Sequence, residues 1–443
     1  MEVVFWLLVF SVVGWCASGT EQNTAYYNGY RVFRLIPSTL QHIKALKDLE
    51  NDITLDVWRH PHNLGDNYDV MVKPEDHSKF VERLTNHNIE FQVLLDDVEK
   101  ILNDERRHFR RRKKRALSSI SAYTTNFLNV QEIEEFLLKV KETSRDVNVT
   151  ISSIGQSSLG QNLTVAKIYK ASSHRKPAIF IDAGIHAREW IAPAMAINFI
   201  YQLALNPNRD RQVSRLLNKY DWYIMPVANP DGYQFSIYSD RMWRKTRNDN
   251  PGSVYKGTDA NRNFNYRWNP DVGGSRNPGE DTYAGSAPFS IPESRDLGRF
   301  LMEHGSQIKL YLTLHSYGQY LLYPWGYGPH EFASDQNDLE RLARVADRAM
   351  PETYRTGTSS VVLYPAAGGS DDFAKGVAGI KYSYTMELPP PDTADNNTYG
   401  FIVNPRDIPT IARDTWQGVK ALALELHRTL RANRTSHDDD YAA

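Results

Sequence analysis

The sequence predicts an α/β fold: a mixed, mostly central β-sheet covered by helices on both faces, preceded by a small α+β unit of ferredoxin-like pattern. Three observations predict it. From Ala116 onward, short apolar runs alternate with amphipathic stretches of helical length. The run Ala178-Ile179-Phe180-Ile181 is apolar without alternation, as a strand buried on both faces must be. Between Tyr30 and Leu95 the strand and helix signals follow the order βαββαβ.

The chain opens on an apolar run from Val3 to Trp15, followed by the small residues Ala17-Ser18-Gly19. That run is too short for a comfortable membrane span and reads as a signal peptide over residues 1–19, although Glu2 makes its start atypical. The single cysteine, Cys16, lies inside it, so a mature chain would have neither disulfides nor a cysteine nucleophile. Sequons at Asn148, Asn162, Asn396 and Asn433 are candidate glycosylation sites in a secreted, extracellular product. A formal net charge of −1 gives no sign of a nucleic-acid or membrane partner.

In the ferredoxin-like unit, residues 20–97, strands are expected at Tyr30–Ile36, Ile53–Trp58, Tyr68–Val72 and Ile89–Leu95. Its helices are expected at Thr39–Leu49, where Leu40, Ile43, Leu46 and Leu49 share a face, and at Pro74–Leu84. A charged helix, Val98 to about Phe109, then leads into Arg110-Arg111-Arg112-Lys113-Lys114-Arg115, closing a connector over residues 98–115. Exposed basic residues between two domains of a secreted chain suit cleavage by a trypsin-like or furin-like protease, which would make the first unit a propeptide.

Residues 116–432 are expected to form one α/β domain. Strands are expected at Val165–Tyr169, Pro177–Ala183, Trp222–Val227, Ile308–Leu314 and Ile380–Met386. Helices are expected at Val130–Thr143, Ile191–Leu205, Pro292–Gly305, Asn337–Met350 and Asp407–Leu430. Residues 433–443, with Asp438-Asp439-Asp440, read as an acidic disordered tail.

The chemistry centres on Gly184-Ile185-His186-Ala187-Arg188-Glu189-Trp190, where a strand ends and a helix begins. Ligands bind at such strand ends in open α/β sheets. An imidazole and a carboxylate three residues apart can both turn toward one divalent ion, and zinc accepts N and O ligands. A third ligand must come from elsewhere, and His315, after Leu310-Tyr311-Leu312-Thr313-Leu314, is the best candidate. Two histidines, one glutamate and an open position make a catalytic rather than a structural site.

With these strings the chain resembles the zinc metallocarboxypeptidases of the digestive A/B type, made as secreted zymogens, from about Tyr30 to Leu430. The resemblance implies one Zn2+ per chain, held by His186, Glu189 and His315. It implies Glu387, in Tyr384-Thr385-Met386-Glu387-Leu388, as general base, and Arg244, in Arg241-Met242-Trp243-Arg244-Lys245, as the cation facing a developing oxyanion. Asn261 and Arg262 match the clamp for a substrate's terminal carboxylate, Tyr364 a mobile tyrosine, and Arg188 and Tyr317 outer subsites. Asp371, in Ala366-Ala367-Gly368-Gly369-Ser370-Asp371-Asp372, matches a pocket-floor position that is apolar in A-type enzymes and aspartate in B-type ones. It therefore implies removal of C-terminal Lys or Arg from peptides and proteins by a monomer.

Two alternatives remain at this level: the same chemistry with apolar or aromatic preference, and a secreted binding protein on an inactive scaffold. The second predicts a missing ligand, base or clamp residue, and none is missing. Neither HExxH nor HxxEH occurs, which disfavours other zinc-protease classes. Two departures stand out. Relatives carry a disulfide within the stretch Trp243 to Tyr283, where this chain has no cysteine, so the loop Asn248–Asp281 is expected to be more mobile. After Glu387-Leu388 the chain runs through Pro389-Pro390-Pro391 instead of the family's usual Arg-Asp.

Overall fold

The computed structural model describes residues 26–50, 52–61, 63–114, 119–391 and 399–440. The expected signal peptide, Arg115 at the end of the basic run, the sequon at Asn396 and residues 441–443 lie outside them.

The N-terminal unit contains β1 (Arg31–Ile36), α1 (Leu40–Glu50), β2 (Asp56–Arg59), β3 (Tyr68–Val72), α2 (His77–Asn86) and β4 (Glu90–Leu95). Its strands are antiparallel in the order β2-β3-β1-β4, as the βαββαβ reading requires. Phe33, Leu35, Val70 and Val72 on the sheet pack against Leu46, Leu49, Phe80 and Leu84 on the two helices. Helix α3 (Val98–Lys114) continues beyond Phe109 into the basic run as far as Lys114, with no proline or glycine to stop it.

The second domain begins with α4 (Val130–Thr143), started by reciprocal bonds between Asn129 and Glu132. It continues through β5 (Asn148–Gln156), β6 (Asn162–Tyr169), β7 (Ala178–Ala183), α5 (Ile191–Leu205), α6 (Arg211–Lys219), β8 (Asp221–Met225), α7 (Pro230–Tyr238) and α8 (Pro292–His304). Then come β9 (Ile308–Gly318), β10 (Tyr320–Tyr323), α9 (Gln336–Asp347), β11 (Arg355–Thr358), α10 (Ser359–Val362), α11 (Ser370–Gly376), β12 (Tyr382–Pro391) and α12 (Ile408–Asp440). The eight-stranded sheet has the order β11-β10-β12-β9-β7-β8-β6-β5. Its centre, β12-β9-β7-β8, is parallel, and antiparallel pairs on either side make the sheet mixed.

One face is covered by α4, α5 and α12, with Ile179, Ile181, Leu312 and Met386 against Met195, Phe199, Trp416 and Leu426. The other face carries α8 and α11, with Phe180 and Tyr311 against Leu297, Phe300 and Phe373. Helix α5 is buried almost all round, which its uniform apolarity anticipates.

Three strands escape the sequence reading. β5 is rich in polar residues, while β10 and β11 are four residues each, too short for a periodic signal. The tail read as disordered from residue 433 is instead helical through Asp440, because no proline or glycine follows Leu430 to end α12. Among the described residues no helix is long and apolar enough to cross a membrane.

Candidate active site

At the carboxyl end of β7 the chain must turn sharply so that His186 faces the end of β9. Gly184 supplies the turn: its φ is +66°, and a Cβ there would meet Pro193 Cγ at 2.9 Å. The turn is pinned from outside, since Asn229 Nδ2 donates to Ile185 O at 3.2 Å and Ala187 N donates to Arg244 O at 2.9 Å.

His315 lies inside β9 rather than after it, directly opposite Glu387 on β12. This register brings His186, Glu189, His315 and Glu387 to the ends of three adjacent parallel strands.

His186 Nδ1 is 2.8 Å from Glu189 Oε1, and His315 Nδ1 is 3.1 Å from both His186 Nδ1 and Glu189 Oε2. All three side chains are buried. His186 Nε2 is 3.1 Å from Asp259 Oδ1; donation to that carboxylate leaves Nδ1 as a lone pair directed into the cluster. Two imidazole Nδ1 atoms facing one another beside a carboxylate suit a shared cation. A tetrahedral zinc with bonds near 2.0–2.1 Å holds its ligand atoms ~3.3 Å apart, close to the spacings here. Burial lowers the affinity of His315 for a proton, but Glu189 outweighs it and raises its pKa to about 9, so the cluster favours positive charge.

Asp259 is fully buried and links the cluster to Arg244, whose Nη2 and Nε donate to its Oδ2 at 2.9 and 3.1 Å. Nothing in the local pattern marked this aspartate, although it stands two residues before Asn261. Burial pushes Glu387 up to about 8, with His315 pulling it down and Glu189 adding to the rise; its side chain keeps an opening to the cleft.

The other expected residues line the same cleft, of about 870 Å³. Arg262 donates from Nη2 to Tyr364 Oη at 3.2 Å and from Nε to Gly273 O at 2.6 Å, and Asn261 Oδ1 accepts from Ser370 N at 2.9 Å. Asp371, at the start of α11, accepts from Thr385 Oγ1 at 3.1 Å.

Arg188 and Tyr317 are engaged by the N-terminal unit. Arg188 Nη1 donates to Asp56 Oδ1 at 2.8 Å, and Tyr317 Oη donates to Asp69 Oδ2 at 3.1 Å. Arg59 donates to Tyr320 Oη at 2.9 Å, and the His60 ring meets Tyr364 edge-on with centroids 5.3 Å apart. Strand β2 thus lies against the cleft, an arrangement with no local trace in the sequence.

The stretch Trp243 to Tyr283 is tied without a disulfide. Lys245 Nζ donates to Pro278 O at 2.5 Å, and Asn250 Nδ2 donates to Gly257 O at 3.0 Å.

Residues 133–418 match the family described as zinc carboxypeptidase, and residues 33–105 match the carboxypeptidase activation peptide. The chain belongs to the zinc carboxypeptidase family. As a zinc carboxypeptidase with an activation peptide it is a zymogen, and its buried His-Glu-His triad fits one zinc. It is 34% identical to carboxypeptidase B of Bos taurus, over 91% of this chain and 94% of that protein. It is equally 34% identical to carboxypeptidase A2 of Mus musculus, over 89% of this chain and 93% of that one. Among solved structures it resembles thrombin activatable fibrinolysis inhibitor, with a TM-score of 0.80 and 31% identity over 90% of this chain and 99% of the other.

Proposed function

We propose that this zymogen is secreted and, once its N-terminal unit is cut away, removes C-terminal lysine or arginine from peptides. The observation that carries the basic preference is Asp371, a nearly buried carboxylate lining the same cleft as the triad, Glu387 and Arg262. A carboxylate at a pocket floor favours a cationic side chain and penalises an apolar one.

In this reading His186, Glu189 and His315 hold the zinc, which when bound supplies Lewis-acid activation of the scissile carbonyl and the attacking water. Glu387 takes the water proton and passes it to the leaving amine, a task suited to a carboxylate that stands beside His315 and opens onto the cleft. Arg244, kept charged and oriented by Asp259, faces the developing oxyanion. Arg262, Asn261 and Tyr364 hold the substrate's terminal carboxylate, which restricts cleavage to the last peptide bond. Arg188 and Tyr317 serve outer subsites. Water adds to the carbonyl carbon, the C–N bond breaks, and the products are a shortened peptide and a free amino acid.

The basic run at the end of α3 suits activation by a trypsin-like or furin-like protease. The apolar run from Val3 to Trp15 supports secretion. The test is hydrolysis of matched peptides ending in Lys, Arg and Phe by trypsin-treated protein, with and without a zinc chelator. Chelator-sensitive cleavage of the basic peptides is expected; preference for Phe would overturn the assignment of Asp371.

A further inference from the structure

Resting on the secretion proposed above, we infer that Asn148 and Asn162 carry N-linked glycans, and that these shield the free edge of the catalytic-domain sheet. In that sheet β5 is the last strand and pairs with β6 alone. A bare strand edge offers its backbone N–H and C=O groups to any other chain. Proteins blunt such edges with charge, proline, short length or a covering element.

Strand β5 has little of this protection. It runs for 9 residues, Asn148–Gln156, and contains neither a charged residue nor a proline. Helix α8 guards its far end, where Arg299 Nη2 donates to Ile154 O at 2.8 Å and Asp296 lies against Gly155. A register shift between Ser153 and Gln156 bends that same end. From Asn148 to Ser153 neither device acts among the described residues. The other sheet edges differ: β11 has only 4 residues and opens on Arg355, β4 opens on Glu90, and β2 lies against the cleft.

Two sequons bracket this edge. Asn148-Val149-Thr150 opens β5, and Asn162-Leu163-Thr164 opens β6, with Asn162 opposite Gln156 at the end of β5. Both asparagines are exposed, and neither side-chain amide is held by another described residue. Val149 packs toward α4 and α5, whereas Leu163 packs toward α8. Side chains alternate along a strand, so Asn148 and Asn162 project from opposite faces of the sheet and their sugars flank the edge on both sides.

The donor is an oligosaccharide on a lipid diphosphate. A bond forms between asparagine Nδ2 and the sugar C1, the C1–O bond to phosphate breaks, and one amide proton is released. Both sites stand clear of the cleft. Asn148 lies opposite Tyr169, at the sheet end where β8 begins, while the triad lies at the other end of β7 and β9. Asn162 is on β6, separated from β7 by β8.

The test uses the full chain made in a eukaryotic secretory host, with glycans mapped by mass spectrometry and association followed by light scattering. Protein in the medium is expected to carry sugar on both Asn148 and Asn162. Enzymatic trimming of the folded protein is expected to raise its average mass at least about twofold through edge pairing, with kcat/KM of the cleaved enzyme unchanged. Asn148→Gln combined with Asn162→Gln should associate in the same way. Adding Ser152→Lys, a charge on the bare edge, should reverse that association. Processed protein lacking sugar at either asparagine, or trimmed protein that does not associate, overturns the inference and leaves secretion standing. A chain retained in the cell with residues 1–19 uncleaved overturns secretion, and this inference with it.

Discussion

On one side of the cleft, His186 is held by Asp259, which is held by Arg244, and none of the three has appreciable contact with solvent. On the other side, the N-terminal unit reaches the same cleft through Asp69, which is buried, and through Asp56, Arg59 and His60, which stay partly or largely open to water. Arg188, only 2% exposed, pairs with Asp56 at 22% and Asp281 at 43%. Ion pairs with exposed partners contribute little, whereas a buried, hydrogen-bonded chain of charges fixes geometry. Behind β2, Tyr27, Val32, Trp58, Met71, Leu95, Val98 and Leu102 form one apolar cluster with Met242, Phe401 and Ile402, and Arg241 on Glu105 adds a buried pair. The first, catalytic wall is held by bonds within its own domain, whereas the second, covering wall is held by bonds between the two units.

The comparison can be broken most sharply at Glu387. Glu387→Gln is expected to lower kcat by about 10⁴-fold while leaving bound zinc unchanged, measured by turnover and metal content of the cleaved protein. Asp371→Ile should lower the ratio of Lys to Phe cleavage on the order of 10³-fold with kcat on the better substrate retained. Asp259→Asn removes the negative charge and leaves one acceptor oxygen where His186 and Arg244 each used one, and should weaken zinc affinity ~10- to 100-fold in a chelator competition, with a far smaller effect on the cover.

The catalytic wall also contains a destabilising group. Asp182 is buried on β7 with Thr313 Oγ1 donating to it at 3.0 Å, and burial pushes its pKa up to about 6. A raised carboxylate favours the protonated fold, so its cost is absent below the unfolded value near 3.8 and complete above about 6. Asp182→Asn should therefore raise Tm by a few degrees at pH 7.5 and much less at pH 4, measured on chelated protein. On the covering wall, Asp56→Asn should speed departure of the cleaved N-terminal unit by only about tenfold, since Asp56 is partly exposed and Arg188 retains Asp281.

Local signals found the core of this arrangement because they are properties of short strings. The apolar run before Gly184 gives β7, and His186 with Glu189 sits at its end. The run before His315 gives most of β9, although the strand extends past the histidine. The propeptide's βαββαβ order is likewise carried by local periodicity. What stayed hidden depends on residues distant in the chain. Asp259 acts on His186 across 73 residues, and Asp69 reaches Tyr317 across 248. Asp56 looks like any polar residue on a short strand until the fold sets it against Arg188. Thr385 becomes a pocket group only once the fold sets its hydroxyl against Asp371.

The most direct measurement is zinc content and turnover of a Lys-terminated peptide by the same preparation before and after cleavage within residues 110–118. One zinc per chain in both states, with turnover rising at least ~100-fold on cleavage, is the predicted result. Zinc bound only after cleavage, or full turnover by the intact chain, would contradict a site that is complete in the zymogen and merely covered.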